Sequence, residues 1–330
     1  MPLPLMLSLI GSAIFTALLT AALTLLLIEY ERCTGRLCRD VHKPYRAEVP
    51  CIGGPAYALS IALGFLAASV WAGVEPRVVL ALELSVLLGA AVGLLDDLVD
   101  LDVPWKVILG ALPAIPLLLL RVYEPYLALP LTGVFRMTIV YPFIALLGMT
   151  GAANSANMVD THNGLLVGSA SIMLLGALVL ELLRGSPPHA VLFTAVALAG
   201  LATFYVFNRY PAKVFNGNTG SFLIGSIAAA VAIVSKLEYF FVTAWIPFIM
   251  SGFYFMASMK RLVKRDYIPQ RPVIVRNGVM YPNTSRGAPI TLVHVAVLPN
   301  PLTEPELVKA VHIATLFYTV LGMITTLLWM

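Results

Sequence analysis

Long apolar blocks alternate with short polar connections along almost the whole chain. Each block is about 20 residues long, which is enough for a helix to cross the hydrocarbon core of a bilayer. Helices are expected because lipid cannot satisfy a free backbone N–H or C=O group. We therefore predict an all-α integral membrane protein with about ten transmembrane helices, with spans near residues 5–28, 52–73, 77–95, 105–122, 135–153, 164–183, 190–207, 220–235, 238–258 and 310–328.

Composition supports the same fold class. Of the 330 residues, 59% are hydrophobic and only 12% are charged, whereas a soluble domain is about one quarter charged. No internal repeat or low-complexity tract divides the chain, so we predict a single polytopic membrane domain over residues 1–330.

Lys and Arg are distributed unevenly between the two sides of this predicted bundle. Alternate connections hold most of them, and the long connection at about 259–309 is the richest. The opposite side holds only Arg77, Arg121, Arg136, Arg184 and Lys236. The positive-inside rule then places the long connection in the cytoplasm and both termini outside. The net charge of +4 is explained by this topology and gives no reason to expect nucleic-acid binding.

Two connections have features beyond charge. In the 259–309 connection, Asn277-Gly278 separates two short β-rich runs, which predicts a hairpin in a small cytoplasmic appendage. The apolar stretch 287–298 is too short for a confident span and is typical of a re-entrant or interfacial segment. In the first connection, a reducing compartment argues against a disulfide. Zinc binding by Cys33, Cys38, His42 and Cys51 is the weaker alternative.

Acidic residues cluster at the cytoplasmic end of the third predicted helix. Asp96 and Asp97 are followed by Asp100 and Asp102, and Lys106 begins the next helix. Ionisable residues at this depth are usually functional, and a divalent cation would relieve their mutual repulsion. A solvated acidic loop with a snorkelling lysine is the alternative.

Amide and glycine motifs follow two later helices on the same predicted side. Asn154, Asn157 and Asp160 are three residues apart and share one helix face, with Asn163 shortly after. Such oxygen donors suit Mg²⁺ or the edge of a nucleoside, although hydrogen bonding between helices would also explain them. The segment from Phe215 to Ser221 is a glycine-rich turn entering a helix, which favours an anion, or alternatively only a capped connection.

The first predicted cytoplasmic loop combines cations with a Gly-Gly pair. Lys43 and Arg46 precede Gly53-Gly54, which opens the second helix. Positive charge and close backbone approach suit a phosphate, whereas a plain positive-inside loop would show the cations alone. Taken together, the four motifs predict metal-assisted chemistry on a diphosphate at one membrane face.

In order and spacing, these motifs resemble those of the polyprenyl-phosphate N-acetylhexosamine-1-phosphate transferases. The similarity runs through Asp40–Gly54, Asp96-Asp97 with Lys106, Asn154–Gly164 and Phe215–Ser221. It implies a ten-helix fold, a cytoplasmic active site and Mg²⁺, with Mn²⁺ as an alternative. It further implies the roles of the site residues: metal ligands Asn157 and Asn218; catalytic residues Asp96, Asp97 and Lys106; substrate-binding residues Lys43, Arg46, Asn154, Asp160, Asn163, Phe215 and Arg271.

The resemblance also indicates substrates. A UDP-sugar, with UDP-GlcNAc favoured, would donate a sugar-1-phosphate to a polyprenyl or dolichyl phosphate, in a monomer or a homodimer. Segments such as Pro269–Pro272 and Pro301–Glu304 are most similar to the dolichyl-linked GlcNAc branch. One departure concerns Asn218, where the family usually has Asp. A transporter or lipid flippase is the alternative class, but its polar site would be expected near mid-bilayer.

Overall fold

A computed structural model describes residues 3–41, 43, 47–130, 132–260, 268 and 270–329. The fold is mainly helical, and three small sheets lie in the connections. The helices are α1 Leu3–Thr34, α2 Gly54–Ala72, α3 Pro76–Val99, α4 Val103–Leu109, α5 Ala114–Leu119, α6 Tyr141–Val159, α7 Leu165–Arg184, α8 Pro188–Asn208, α9 Gly217–Ser235, α10 Glu238–Ala244, α11 Ile246–Met259, α12 Leu292–Val297 and α13 Glu304–Trp329.

The strands pair locally in antiparallel fashion. Two of the sheets are hairpins, and the third adds a short strand from just before α13. The strands are β1 Leu37–Arg39 with β2 Glu48–Pro50, β3 Tyr126–Leu129 with β4 Gly133–Arg136, and β5 Val273–Arg276 with β6 Val279–Pro282 and β7 Leu302–Thr303. The predicted Asn277-Gly278 turn is confirmed, because β5 and β6 pair on either side of it. Both turn residues have positive φ, as a tight hairpin turn requires.

Seven of the described helices are long and apolar enough to cross a membrane, or eight if α10 and α11 form one span bent by 59°. This supports a multi-pass membrane protein but not the predicted count of about ten. The expected span 105–122 is broken into α4 and α5, because Gly110 and Pro113 interrupt the helix. The expected span 135–153 starts only at Tyr141, and its last turns are polar.

Helix α9 is the centre of the bundle. It packs against α2, α3, α6, α7, α8 and α10, and nearly all of its residues are buried. Its small side chains permit this, since a Cβ on Gly225 would lie 2.4 Å from the Cα of Ala153 on α6. Close crossings of this kind are typical of helix packing within membranes.

Helix α1 is polar on its inner face and apolar on its outer face. Its buried side chains are mainly hydroxyls four residues apart, from Ser8 through Thr16 to Thr24. Large apolar side chains are also exposed on the outer surface of the bundle. Leu18 of α1 is 68% exposed, and Trp71 of α2 is 72% exposed. An exterior this apolar fits a lipid environment.

The first connection differs from expectation, because Cys38 and Cys51 form a disulfide. The prediction of no disulfide was therefore wrong. The physical reason is that β1 and β2 pair Cys38 with Val49, two residues before Cys51, and leave the two Cα atoms 5.2 Å apart. Both sulfurs are thereby unavailable to zinc, and His42 lies outside the described residues.

The apolar stretch 287–298 forms the short helix α12, which packs against α11, α13 and β6. Two hydroxyls of α11 bind the backbone at the start of α12. Ser258 accepts a hydrogen bond from the N–H of Ile290, and Ser251 accepts one from the N–H of Leu292. The segment 287–298 is thus attached to α11 through its own backbone N–H groups.

Candidate active site at the start of helix α9

Asp97, near the end of α3, holds the first turn of α9. Its carboxylate accepts hydrogen bonds from the N–H groups of Asn218 and Thr219, each at 2.8 Å, and from the Thr219 hydroxyl at 2.6 Å. A carboxylate is favourable there because a helix N-terminus has free N–H groups and partial positive charge. Asp97 therefore fixes the glycine-rich turn to the acidic cluster.

Two glycines allow other elements to approach this turn. A Cβ on Gly93 of α3 would lie 2.3 Å from the carbonyl oxygen of Asn218, and one on Gly54 of α2 would lie 2.4 Å from the nitrogen of Gly220. Both distances are shorter than real contacts allow, so larger residues would push α2 or α3 away. These glycines allow α2 and α3 to pack directly against the start of α9.

Asp160, just after α6, also faces the start of α9. One carboxylate oxygen accepts from the Ser221 hydroxyl at 2.7 Å and from the side-chain amide of Asn216 at 2.8 Å. Asn216 in turn accepts from the hydroxyl of Tyr57 at 2.8 Å. Burial raises the pKa of Asp160 to about 6, with a smaller contribution from the negative charge of Asp97. The hydrogen bonds from Ser221 and Asn216 oppose this rise.

The predicted metal ligands lie on either side of this contact. Asn157 is one turn before Asp160 on α6, and Asn218 is one turn before Ser221 on α9. Both are half-buried. In the described part of the chain, neither side-chain amide makes a hydrogen bond, so both oxygens are open to a ligand.

Lys106 lies over a buried carboxylate. Its ammonium is 3.0 Å from Asp96 and 3.7 Å from Asp100, and the Asp96 side chain is 0% exposed. Asp96 also accepts from the N–H of Leu101. Its other oxygen is buried without a hydrogen-bond partner among the described residues. The positive charge of Lys106 offsets part of the negative charge of Asp96, and this makes the burial of the Asp96 carboxylate tolerable.

Asn154 contacts the neighbouring helix. Its amide donates to the carbonyl of Thr150 at 2.8 Å and to that of Lys106 at 3.3 Å. The Thr150 hydroxyl donates to the carbonyl of Val107. These contacts join α6 to α4, so the amide of Asn154 positions the backbone of Lys106.

A second buried cluster joins the first loop to α13. Lys43 is 3% exposed, and its ammonium is 3.3 Å from Asp40 and 3.5 Å from Glu304. Asn163 donates from its side chain to Asp40 and from its backbone N–H to Glu304, each at 2.9 Å. The ring of Tyr210 lies 3.4 Å from the ammonium. Lys43 and Asn163, each predicted to bind substrate, both contact Asp40 and Glu304 in this buried network.

The remaining predicted residues are distributed as follows. Phe215 is half-buried, and its backbone bonds to Pro50 and Gly53 at 2.8 Å each, beside the start of α2. Arg271 is exposed next to β5, where its carbonyl accepts from Asn283. Arg46 lies outside the described residues.

Sequence reasoning missed residues that connect the motifs. Asn216, Tyr57 and Glu304 each bridge two segments far apart in the chain. Asn216 lies inside the Phe215–Ser221 motif, but in that motif the sequence predicts a metal ligand only at Asn218. Among the described residues, no group of three or more His, Cys, Asp and Glu side chains could hold a metal ion.

The chain is similar to proteins of one enzyme family. Residues 79–236 match the model of glycosyl transferase family 4. A protein of Saccharolobus solfataricus, provisionally named UDP-N-acetylglucosamine–dolichyl-phosphate N-acetylglucosaminephosphotransferase, is 32% identical over 64% of this chain. The match spans 66% of that relative's length, slightly less than two thirds.

Two further relatives extend the comparison. A provisionally named glycosyltransferase of Methanocaldococcus jannaschii is 28% identical over 96% of this chain and 94% of its own length. The phospho-N-acetylmuramoyl-pentapeptide-transferase of Shouchella clausii is 30% identical over 58% of this chain and 63% of its own length. The matched family region contains Asp96, Asp97, Lys106, Asp160 and Asn218.

Proposed function

Since this chain carries a glycosyl transferase family 4 domain at residues 79–236, we propose that it is a polyprenyl-phosphate hexosamine-1-phosphate transferase. It transfers GlcNAc-1-phosphate, or a related N-acetylhexosamine-1-phosphate, from a UDP-sugar to dolichyl or polyprenyl phosphate and releases UMP. The product would start a lipid-linked oligosaccharide. The observation that supports this most is the convergence of Asp97, Asp160 and the loop before α2 on the first turn of α9.

The proposed reaction forms a bond between an oxygen of the lipid phosphate and the β-phosphorus of the donor. The bond from that phosphorus to the bridging oxygen breaks, and UMP leaves with the electron pair. Such transfers depend on positioning and charge neutralisation more than on covalent participation of the protein. Lys106, 19% exposed above Asp96, supplies positive charge beside the reacting phosphates.

The two acidic residues then have different tasks. Asp97 is half-buried and accepts a hydrogen bond from the first turn of α9. It can therefore lie beside the lipid phosphate while it holds Asn218, a proposed metal ligand, in place. Asp96 is enclosed and acts through Lys106, whose ammonium it orients. Asp160, Asn163 and Phe215 are proposed to contact uridine, and Arg271 the sugar. Lys43 would contact the donor at the edge of its buried network.

We propose Mg²⁺ as the cofactor, with Mn²⁺ as a substitute. The oxygens of Asn157 and Asn218 fit a hard cation that takes its remaining ligands from the donor diphosphate and water. A bound cation supplies charge neutralisation and polarises the phosphoryl oxygens. Among the described residues we assign these two amides to the cation, and the contacts of Asp97 with Asn218 and of Asp160 with Ser221 hold the start of α9 in place.

The membrane setting and the polar positions favour this function over transport. The polar residues lie where α3, α6 and α8 end and where α9 and α13 begin, at one end of the bundle rather than midway along it. Transporter sites usually lie near the bilayer midplane. We place the site at the cytoplasmic face because the basic connections lie at the same end.

Product analysis tests this function. Purified protein with UDP-GlcNAc, Mg²⁺ and a polyprenyl phosphate is expected to release UMP only when all three are present. Asn157→Ala should lower the rate by at least about tenfold. The matched control is Asn300→Ala, an exposed amide outside the site, which should keep the full rate. UMP release independent of the lipid, or none at all, would contradict the proposal.

A further inference from the structure

A groove of about 380 Å³ lies between α7, α8 and α13, and its edge includes Asn163 and Tyr210 of the buried Lys43 network. Arg209, at the end of α8, and Lys309, in the second turn of α13, both line it and are both exposed. Neither α3 nor α4, which hold Asp97 and Lys106, contributes to its lining.

The two cations of the groove have no partner in the described part of the chain. No hydrogen bond or ion pair there involves the side chain of Arg209 or Lys309, although carboxylates pair with Lys43 and Lys106 nearby. A single unpaired cation at a helix end is explained by membrane topology alone. Two from separate helices that line one groove form a charge pattern complementary to an anion.

His312 belongs to the wall of the groove. Its Nε2 lies 3.2 Å from the carbonyl oxygen of Leu165 and 3.3 Å from that of Gly164. It therefore donates to the start of α7 and ties α13 to that helix. The anion must be recognised by Arg209 and Lys309, and the histidine keeps the two walls together.

Further along the spans, the groove becomes apolar. Ile313 and Leu316 follow Lys309 at one-turn spacing on α13 and are 58% and 51% exposed, and Ile172 of α7 faces them. The groove thus has a cationic end where the spans begin and an apolar end that continues into the membrane-spanning part. This order matches a molecule with an anionic head and an acyl chain.

We propose that this groove binds a membrane phospholipid with a net negative headgroup, with the phosphate at Arg209 and Lys309 and a chain along Ile313 and Leu316. Basic pockets between membrane helices recognise anionic lipid headgroups in this way. The bound lipid would join the end of α8 to α13, the helix whose Glu304 holds the Lys43 network. The groove adjoins Asn163, the proposed uridine contact, but has no residue of the acidic cluster in its lining, and lipid binding to it can be measured without the proposed reaction.

Native mass spectrometry of the full-length protein in detergent tests the proposal. The protein is titrated with phosphatidylglycerol and, separately, with zwitterionic phosphatidylcholine. We expect one tightly held phosphatidylglycerol and a clear preference over phosphatidylcholine. Arg209→Ala with Lys309→Ala should weaken phosphatidylglycerol binding by about 30-fold, the combined effect of two cations near an anionic headgroup.

The control removes equal charge elsewhere. Arg276→Ala with Arg286→Ala alters two cations outside the groove, one at the end of β5 and one in the segment after β6, and should bind phosphatidylglycerol as the parent does. Equal affinity of the parent for the two lipids would overturn the proposal without any variant. So would unchanged binding in the groove variant. Displacement of the lipid by inorganic phosphate alone would show a simple anion site instead.

Discussion

The side chain of Asn218 has an uncharged oxygen at a position where the proposed metal would lie. Its backbone N–H is already used by Asp97, so a change of side chain leaves that contact possible. We predict that Asn218→Asp lowers the Mg²⁺ concentration for half-maximal rate by about tenfold, because ligand charge helps to set the affinity for hard cations. Asn218→Ala removes the oxygen and should nearly abolish turnover.

A Mg²⁺ titration of the three proteins measures this. If Asn218 only shapes the turn, as Asn often does, the curve of Asn218→Asp will coincide with that of the parent. Asn218→Ala would then reduce thermal stability rather than rate. Repulsion between a new carboxylate and Asp97 is the one opposing effect, and it should disappear once Mg²⁺ is bound.

Asp160 provides a pH prediction. Its pKa is raised to about 6 by burial, so its carboxylate is ionised above that pH and protonated below it. If the ionised form binds the donor, kcat/KM should fall as the pH drops through about 6. Ser221→Ala removes a donor to the ionised form, which raises the pKa of Asp160 further and moves the acid limb to higher pH.

Ser226→Ala is the matched control for this profile. Its hydroxyl donates to the carbonyl of Phe222 on the same helix and does not touch Asp160. Its acid limb should coincide with that of the parent. An acid limb that stays in place in Ser221→Ala would assign the pH dependence to another group.

At the scale of elements, the disulfide between Cys38 and Cys51 closes the loop that contains Lys43. The pair is 13 residues apart, and a cross-link over a loop of that size contributes about 3 kcal/mol by restricting the unfolded chain. We predict that Cys38→Ser with Cys51→Ser lowers the Tm. It should also raise the KM for UDP-GlcNAc more than it lowers kcat, since the loop contains Lys43, which we propose as a contact of the donor.

Cys33→Ser is the control, because Cys33 is an exposed free thiol and its loss should leave Tm and KM in place. A reducing agent should reproduce the effect of the double variant in the parent protein. An unchanged Tm on reduction would mean that the β1–β2 pairing holds the loop without the cross-link.

The sequence predicts an element best when the residues that determine it are adjacent in the chain. The β5–β6 hairpin follows from Asn277-Gly278 alone, and its prediction is confirmed. The break between α4 and α5 was equally local, at Gly110 and Pro113, but was masked by the high average hydropathy of the block. The inward hydroxyl face of α1 was missed because apolar residues surround it in sequence.

The candidate site was likewise predictable in its local motifs but not in its long-range contacts. The motifs were found from residue type and spacing, and the structure brings Asp97, Asp160 and Asn218 to one helix start. Which residue touches which could not be predicted, because many partners are far apart in the chain: Asp160 and Asn216 are 56 positions apart, and Asn163 and Glu304 are 141 apart. The distinction between a buried Asp96 and a half-buried Asp97 depends on packing that adjacent residues in a sequence do not specify.

At the scale of the whole molecule, two features make opposite predictions for the side of the first loop. The basic residues place it in the cytoplasm, whereas disulfides persist mainly in oxidising compartments. We predict that charge prevails. In a Cys33→Ser background, Thr284→Cys, at an exposed position after β6, should resist an impermeant thiol reagent in right-side-out membranes, since the 259–309 connection is predicted to lie on the same side as the first loop.

The control for this topology is Val134→Cys, on the β4 strand of the opposite connection and 68% exposed. It should be labelled readily without permeabilisation. Labelling of Thr284→Cys, together with protection of Val134→Cys, would reverse the orientation and place the site away from cytoplasmic UDP-sugars.

The most direct test of the central claim follows the β-phosphorus of the donor. UDP-GlcNAc radiolabelled at that atom is incubated with the protein, Mg²⁺ and polyprenyl phosphate, and the lipid is extracted. Transfer of the sugar-1-phosphate predicts label in the lipid as a diphosphate-linked sugar, with unlabelled UMP in the water phase. Label that remains in UDP while sugar enters the lipid would show glycosyl transfer instead, and a lipid phase without sugar or label would contradict the transferase account.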